Sequence, residues 1–444
     1  MRCHRVFAAF IISLSVLTCW TQNVCAFDTK EVENLISRFQ QETKCKSVSV
    51  VVYENKEATF YGDRNLYQIG SMTKAFTGLA VEKLINDALL DEDGIVSDYI
   101  PGFEAYYDSS KVDITVRNLL EQKSGYTNSE KDYPSATKSM TLSGWADSIS
   151  GLSLKSRPGE EYAYSNVNYD LLGLIIENVS GMSYRDYMEK EILRPLGLKS
   201  TSVGFPEGGK IVEGTRLGFR HAFDFPMDVK EACIPAGYFY SGIEDMGRWI
   251  GIWTGNADIP ESLKEPLSKV KGYLKNEGDY YSGWELFADG VIGHSGGTAN
   301  YSSRIVFDEK RQIGVCVLTN LNVAATTDSL CNNIFDIVSG KAVEGLSSDI
   351  WTIFDKIFTG VTLAGAVLLL VVLFSGKRKL LIIVDVVLVL IMVSIFIVFP
   401  MIFGAGMKEI VFTWAPWSIA GGLLAVAAVI AVSTVRALKV KKHE

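Results

Sequence analysis

Ser71-Met72-Thr73-Lys74-Ala75-Phe76-Thr77-Gly78-Leu79-Ala80-Val81 sets a serine and a lysine at the head of an apolar-periodic run. If that run is a helix, Ser71 and Lys74 lie one turn apart on the same face. A serine is a weak nucleophile until a neighbour takes its proton, and a desolvated lysine with a lowered pKa can do so. The same spacing recurs at Ser135–Lys138 and Ser268–Lys271, where the surrounding residues read as solvated surface. Ser71 is singled out by its apolar context and by the order of the motifs further along the chain.

On either side of this run the pattern alternates between element types. Thr29–Phe39 repeats Val32, Leu35, Ile36 and Phe39 at helical spacing; Val48–Tyr53 is a buried strand, and Ala58–Tyr61 a second, shorter one. The middle is mostly helical: Arg117–Gln122, Asp170–Ile176, Tyr184–Leu193 and Ile243–Thr254. From Val291 strands return, at Ser302–Phe307 and Gln312–Thr319 around the turn Asp308–Arg311, before a helix at Thr327–Val338. Strands at both ends of a helical middle imply a sheet closed by the two termini, with an inserted helical domain.

Both ends of the chain have another character. Arg2 and Arg5 precede an apolar core from Phe7 to Val16, and Val24-Cys25-Ala26 suits a signal-peptide cleavage site, so residues 1–26 are expected to be a removed leader. Thr18 disfavours lipoprotein cleavage before Cys19. Beyond an expected globular domain at 27–346, residues 347–444 hold three membrane-length segments, roughly Ile353–Phe374, Leu380–Phe403 and Val411–Val435. Lys377, Arg378 and Lys379 separate the first two, and Arg436, Lys439, Lys441 and Lys442 follow the third. By the positive-inside tendency those clusters are cytoplasmic and the Gly404–Ile410 loop is outside, with Trp414 and Trp417 in an interfacial belt. The 27–346 domain then lies outside too, giving a multi-pass cell-membrane protein with an extracytoplasmic globular domain. Asp385, inside the second span, is expected to reach the interface.

A net charge of −8 argues against a nucleic-acid partner. Only His221 and His294 fall in the globular part, which excludes a His-rich metal site, and no acidic metal motif stands out; neither metal nor cofactor is expected. After leader removal four cysteines remain, Cys45, Cys233, Cys316 and Cys331, which allow three full pairings. Cys316 sits in an apolar strand, as a buried thiol does.

Two further clusters bear on chemistry. Tyr164-Ser165-Asn166 follows the turn Pro158-Gly159-Glu160-Glu161. A tyrosine near a lysine can be a phenolate or a proton relay, and an asparagine beside it can orient a substrate amide. Gly293-His294-Ser295-Gly296-Gly297 precedes the strand at Ser302. Its small residues let a substrate backbone lie against a strand edge, and its N–H groups with that of Ser71 can form an oxyanion hole. Gly-x-Ser-x-Gly is also the nucleophile elbow of α/β-hydrolases, which needs a histidine later in the chain. Only His443 comes later, in the expected cytoplasmic tail, and strand sequence rather than a helix comes next, so the elbow is rejected.

The order Ser-x-x-Lys, Tyr-Ser-Asn, His-Ser-Gly resembles the serine β-lactamase and penicillin-binding family, class C branch. Ile114–Leu120 leading to Lys123-Ser124-Gly125, Arg194–Leu198, Pro235–Ser241 and Gly293–Asn320 are similar as well, so the resemblance spans about Phe27 to Val338. It implies an α/β fold of the α+β kind: a β-lactamase-like antiparallel sheet flanked by helices with an inserted helical domain, here followed by three C-terminal transmembrane helices. It further implies Ser71 as nucleophile, Lys74 with Tyr164 as base and relay, the N–H groups of Ser71 and Gly297 as oxyanion hole, and Asn166, His294, Ser295, Gly296 and Gly297 as substrate-binding residues. His294 occupies the place where class C β-lactamases carry lysine, a departure that looks more like the DD-carboxypeptidases, D-aminopeptidases and esterases of the group. The expected activity is acyl-enzyme hydrolysis of D-residue-containing peptides or small amides by a membrane-anchored serine peptidase. Cell-wall DD-peptidases fit that description. So do prodrug-activating peptidases of the colibactin-maturation type, which share three C-terminal membrane helices. The alternatives are a β-lactam-binding protein or sensor and a β-lactamase or esterase of the same fold.

Overall fold

The computed structural model describes residues 27–128 and 133–440; the expected leader lies outside them. Asp28 opens helix α1 (Thr29–Thr43) by accepting from the N–H groups of Lys30 and Glu31, and Lys44 closes it at φ 69°. These two residues satisfy backbone groups that a helix cannot satisfy itself. Strands β1 (Val48–Glu54) and β2 (Glu57–Tyr61) come next. Asn55 and Lys56 join them with φ of 52° and 69°, the double left-handed turn that matches strand twist.

After a 3₁₀ turn at Gly70–Met72 comes α2 (Thr73–Asn86), in which every residue from Thr73 to Leu84 is buried. A helix covered on all sides belongs in the centre of a protein. Around it pack α3 (Asn166–Ser180) and the helices Leu142–Ile149, Ile243–Trp253 and Glu261–Asn276. Leu142–Ile149 and the last of these were not expected from sequence; in the last the reason is plain. Pro266 and a polar composition mask a stripe of Leu263, Leu267, Val270 and Leu274 that is buried in the core with α2.

The chain then returns to the sheet with β3 (Tyr280–Tyr281), β4 (Trp284–Leu286), β5 (Ile292–Gly297), β6 (Ser302–Asp308) and β7 (Ile313–Thr319), and ends the unit with α4 (Ala324–Val338). The seven strands run β2-β1-β7-β6-β5-β4-β3, all neighbours antiparallel. Val48 pairs with Thr319, so the first strand closes on the last. Val50, Val52, Val315 and Val317 face α1 and α4, while Val51, Tyr53, Ile305 and Phe307 face the helical core with Trp249 and Trp253. Both faces are covered, which is why these strands read as continuous apolar runs. The result is the expected α+β class, an antiparallel sheet flanked by helices with a helical insertion.

No disulfide joins the four described cysteines, and Cys45, Cys316 and Cys331 are buried. Burial pushes the Cys45 thiol up to about 12.

Three long helices complete the chain: α5 (Ile350–Phe374), α6 (Arg378–Phe403) and α7 (Trp417–Val440). All are long and apolar enough to cross a membrane. Of these, α5 and α7 dock on the hairpin Thr215–Gly218/His221–Asp224. Buried Asp355 of α5 accepts from the Arg220 N–H (2.9 Å) and from Ser418 Oγ of α7 (2.8 Å). Asp385 accepts from Thr434 Oγ1 at 2.9 Å, so it is bonded across to α7.

Gly78 tests the packing of α2. Helix propensity alone favours Gly78→Ala by ~1 kcal/mol. A Cβ there would lie 2.3 Å from the Ser282 carbonyl oxygen. Overpacking against backbone should win and destabilise the protein by about 1–3 kcal/mol. Thermal unfolding of the variant should show a lowered midpoint, and an unchanged or raised midpoint contradicts this account.

Candidate active site

Ser71 sits in the 3₁₀ turn at the entrance of α2, and that turn is pinned from two sides. Ile69 donates its N–H to the Phe239 carbonyl (2.9 Å), and its own carbonyl accepts from Ser303 Oγ of β6 (2.8 Å). Gly70 has φ 53°, and a Cβ on it would come within 2.5 Å of the Gly297 nitrogen. Glycine is therefore required both by the backbone angle and by the approach of β5. This contact sets the Gly297 amide beside the Ser71 turn.

Lys74, the second residue of α2 and one turn on from Ser71, has no exposed surface. Its Nζ is 3.1 Å from Ser71 Oγ and donates to Asn166 Oδ1 (2.7 Å) and the Ala236 carbonyl (2.7 Å). Burial pulls the amine down to about 7, opposed by Asp170. Asp170 follows Asn166 by one turn on α3, is buried, and is itself pushed well above the usual carboxylate range by desolvation, against the pull of Lys74. A neutral amine has two N–H groups and one lone pair. Asn166 and Ala236 take the two N–H groups, which leaves the lone pair for the Ser71 hydroxyl.

Tyr164 stands just before α3, its ring centroid 4.9 Å from Lys74 Nζ. Burial pushes its phenol up, opposed by a hydrogen bond with Ser71. At neutral pH it is a phenol, which fits a proton relay better than a phenolate base. The Tyr164–Asn166 segment is held by Gln122 and Asn128: Ser165 N–H donates to Gln122 Oε1 (2.9 Å), and Asn166 N–H to Asn128 Oδ1 (3.3 Å). Gln122 Oε1 also accepts from Asn168 Nδ2 at 2.5 Å.

On β5, neighbours point to opposite faces. His294 is 2 % exposed and packs between Tyr164 and Tyr280, at centroid distances of 6.1 and 6.0 Å. Nδ1 lies 2.6 Å from the Ser295 carbonyl, so it carries the proton; Nε2 has no hydrogen-bond partner and is 3.9 Å from Glu285 Oε1. Burial first, then Lys74, lowers the imidazole to about 3. Ser295 departs from its expected role. Its hydroxyl turns to the far face, where it donates to Asp328 (3.0 Å) and accepts from Arg304 Nη1 (2.7 Å). Only its backbone lies on the strand edge that a substrate would meet. Gly296 packs directly on Ile69 and Ser303.

Ser71, Asn166 and Gly297 open into a cleft of about 430 Å3. Its lining also includes Tyr238, Asn300 and Asp170, and three residues of the α6–α7 connection, Glu409, Thr413 and Trp414. None of these six was expected there. Ser135, read from sequence as solvated surface, is exposed at the cleft's rim.

A profile of the beta-lactamase family matches residues 32–333. The chain is 30% identical over 373 residues to "Protein flp" of Staphylococcus aureus, covering 79% of this chain and 74% of that one. Among solved structures, the octameric penicillin-binding protein homologue from Pyrococcus abyssi superposes with a TM-score of 0.61 at 23% identity, over 74% of this chain and 81% of the other. A beta-lactamase/D-alanine carboxypeptidase from Pseudomonas syringae gives 0.59 at 17% identity, over 70% and 98%.

The His294 ring should stay neutral throughout the working pH range. In a 1H–15N NMR titration its two ring nitrogens should keep the widely separated shifts of a neutral imidazole between pH 5 and pH 8, apart from small changes as Lys74 titrates. Convergence of the two shifts inside that window would show that the ring is not sealed as described.

Proposed function

The chain belongs to the beta-lactamase family, and from that premise we propose an extracytoplasmic serine hydrolase, anchored in the cell membrane by α5–α7, that cleaves D-residue-containing peptides or related amides through an acyl-enzyme. One observation carries the reading: a serine hydroxyl 3.1 Å from a fully buried lysine amine whose other two contacts are uncharged acceptors.

In this reading the substrate carbonyl enters over Gly297 with its oxygen toward the N–H groups of Ser71 and Gly297. Ser71 Oγ attacks as its proton passes to Lys74 Nζ. Charge then gathers on the carbonyl oxygen, where preorganised backbone dipoles are most effective. Tyr164, a phenol within reach of Ser71, passes a proton to the leaving nitrogen and is reprotonated from Lys74. The C–N bond breaks, the amine leaves, and the acyl group stays on Ser71. Water then attacks the ester, releasing the acid and restoring the hydroxyl. Asn166, whose Oδ1 is occupied by Lys74, keeps Nδ2 as a donor for a substrate carbonyl. His294, neutral and buried behind Tyr164, shapes the site rather than pairing with a substrate carboxylate by charge. That supports a peptidase or esterase over an efficient β-lactamase.

The three apolar helices support membrane anchoring, and the flanking Lys/Arg clusters support placing the catalytic unit outside the cytoplasm. Mass spectrometry of products from a panel of acyl-D-amino-acid peptides, wild type against Ser71→Ala, tests the activity. Turnover that survives Ser71→Ala rejects the mechanism. A lasting fluorescent-penicillin label with no turnover of any amide or ester favours the β-lactam-binding alternative.

The base sets the pH dependence. Lys74 must be unprotonated to accept the serine proton, and its amine is lowered to about 7. kcat/KM should therefore rise with pH to a plateau above about 8 and fall close to tenfold per unit well below 7. Lys74→Met should cost 10²–10⁴-fold at the plateau. A profile flat down to pH 5, or one still rising at pH 10, assigns the base elsewhere.

A further inference from the structure

The catalytic cleft is walled partly by the membrane helices. Glu409, Thr413 and Trp414 belong to the connection between α6 and α7, yet they line the same cleft as Ser71 and Asn166. One cation holds that connection. Arg216, 2 % exposed, donates from Nε to the Ala415 carbonyl (2.6 Å), from Nη1 to that of Phe412 (2.9 Å) and from Nη2 to that of Val411. Its guanidinium also lies 3.9 Å over the Trp417 ring. Among the described residues no carboxylate pairs with it, and burial lowers it to about 10. A buried guanidinium whose donors are met by three carbonyls of one segment fixes that segment in place, because losing the contact strands the charge. Arg216 lies two residues beyond Gly214, and Gly214 packs on Asn300 at the cleft edge.

The height of this wall is legible too. Trp417 begins α7, and Trp414 precedes it by three residues, across the extended Ala415. On the facing hairpin and the loop after it, Phe219, Phe223 and Met227 are exposed, Met227 lines the cleft, and Phe219 packs on Gly421 inside α7. Phe412, between the cleft residues, is 60% exposed. Aromatic and apolar side chains gathered where a spanning helix starts suit the headgroup boundary and are poorly placed in open water. Trp414 Nε1 donates to Glu409 Oε1 (3.0 Å), so the indole's polar edge is already satisfied and its apolar surface remains to meet a ligand.

We propose that Glu409–Trp414 is a substrate-contacting wall, that Arg216 is the residue positioning it, and that the substrate is a membrane-resident amphiphile whose scissile amide is presented at headgroup level. The proposal rests on the serine-hydrolase reading above and adds to it what the site selects.

The test uses the full chain in phosphatidylcholine/phosphatidylglycerol vesicles. Two acyl-D-amino-acid amides are compared, identical except for a long acyl chain or an acetyl group. Wild type, Trp414→Ala, Arg216→Lys and Ser71→Ala are assayed, with rates normalised to folded protein by circular dichroism. Wild type should favour the long-chain substrate at least tenfold in kcat/KM. Trp414→Ala and Arg216→Lys should each bring that ratio to within about threefold of unity, chiefly through KM. Equal use of both substrates by wild type, or a ratio unchanged in Trp414→Ala, overturns the wall while leaving the hydrolase reading intact. Turnover that persists in Ser71→Ala, or no turnover of either substrate by wild type, removes the hydrolase reading and this proposal with it.

Discussion

Lys74 Nζ is surrounded by a hydroxyl, an amide oxygen and a main-chain carbonyl, none of them charged. An ammonium ion in such a place is costly, so desolvation holds the amine near neutrality without any basic neighbour. Much of the architecture serves that burial. Helix α2 is covered along its length, α3 brings Asn166 and the tyrosine before it, and the Pro235–Tyr238 turn supplies the carbonyl. The lowered Lys74 amine owes more to where the helix lies in the protein than to any one partner.

The parts of this arrangement legible in the sequence are those with a local signature. Ser71 and Lys74 share a helix face by spacing alone, β1 and β7 announce themselves as apolar runs, and three long hydrophobic stretches mark α5–α7. Helix α3 starts at Asn166, earlier than its apolar period suggests, because Asn128 and Gln122 receive its first N–H groups from far along the chain. Period-two alternation on β5 already separates the faces of His294 and Ser295, so the turned Ser295 hydroxyl was open to inference. The cleft residues on the α6–α7 connection had no such signal. Glu409 and Trp414 read as a loop and an interfacial anchor, and it is buried long-range contacts such as that of Arg216 with the Ala415 carbonyl that join them to the site.

The two units therefore share more than a covalent link. Asp349 caps α5 while accepting from the Ala325 N–H at the start of α4, and Asp355 ties the hairpin to α5 and α7. These are buried, directional contacts, each of which fixes an orientation as well as a distance. A globular unit held this way has little freedom to swing relative to the long helices.

Val48 must find Thr319 before the sheet exists. At ordinary translation speeds roughly 15–50 s separate the synthesis of those two strands. During that interval the N-terminal hairpin has a bare edge, and the helix entered through Ser71 lacks the strand that flanks its glycine turn. A chain cut before residue 297 lacks both the strand that packs on Gly70 and the partner of Val48. The geometry around Ser71 is therefore completed late in synthesis, when the C-terminal strands of the sheet have been made.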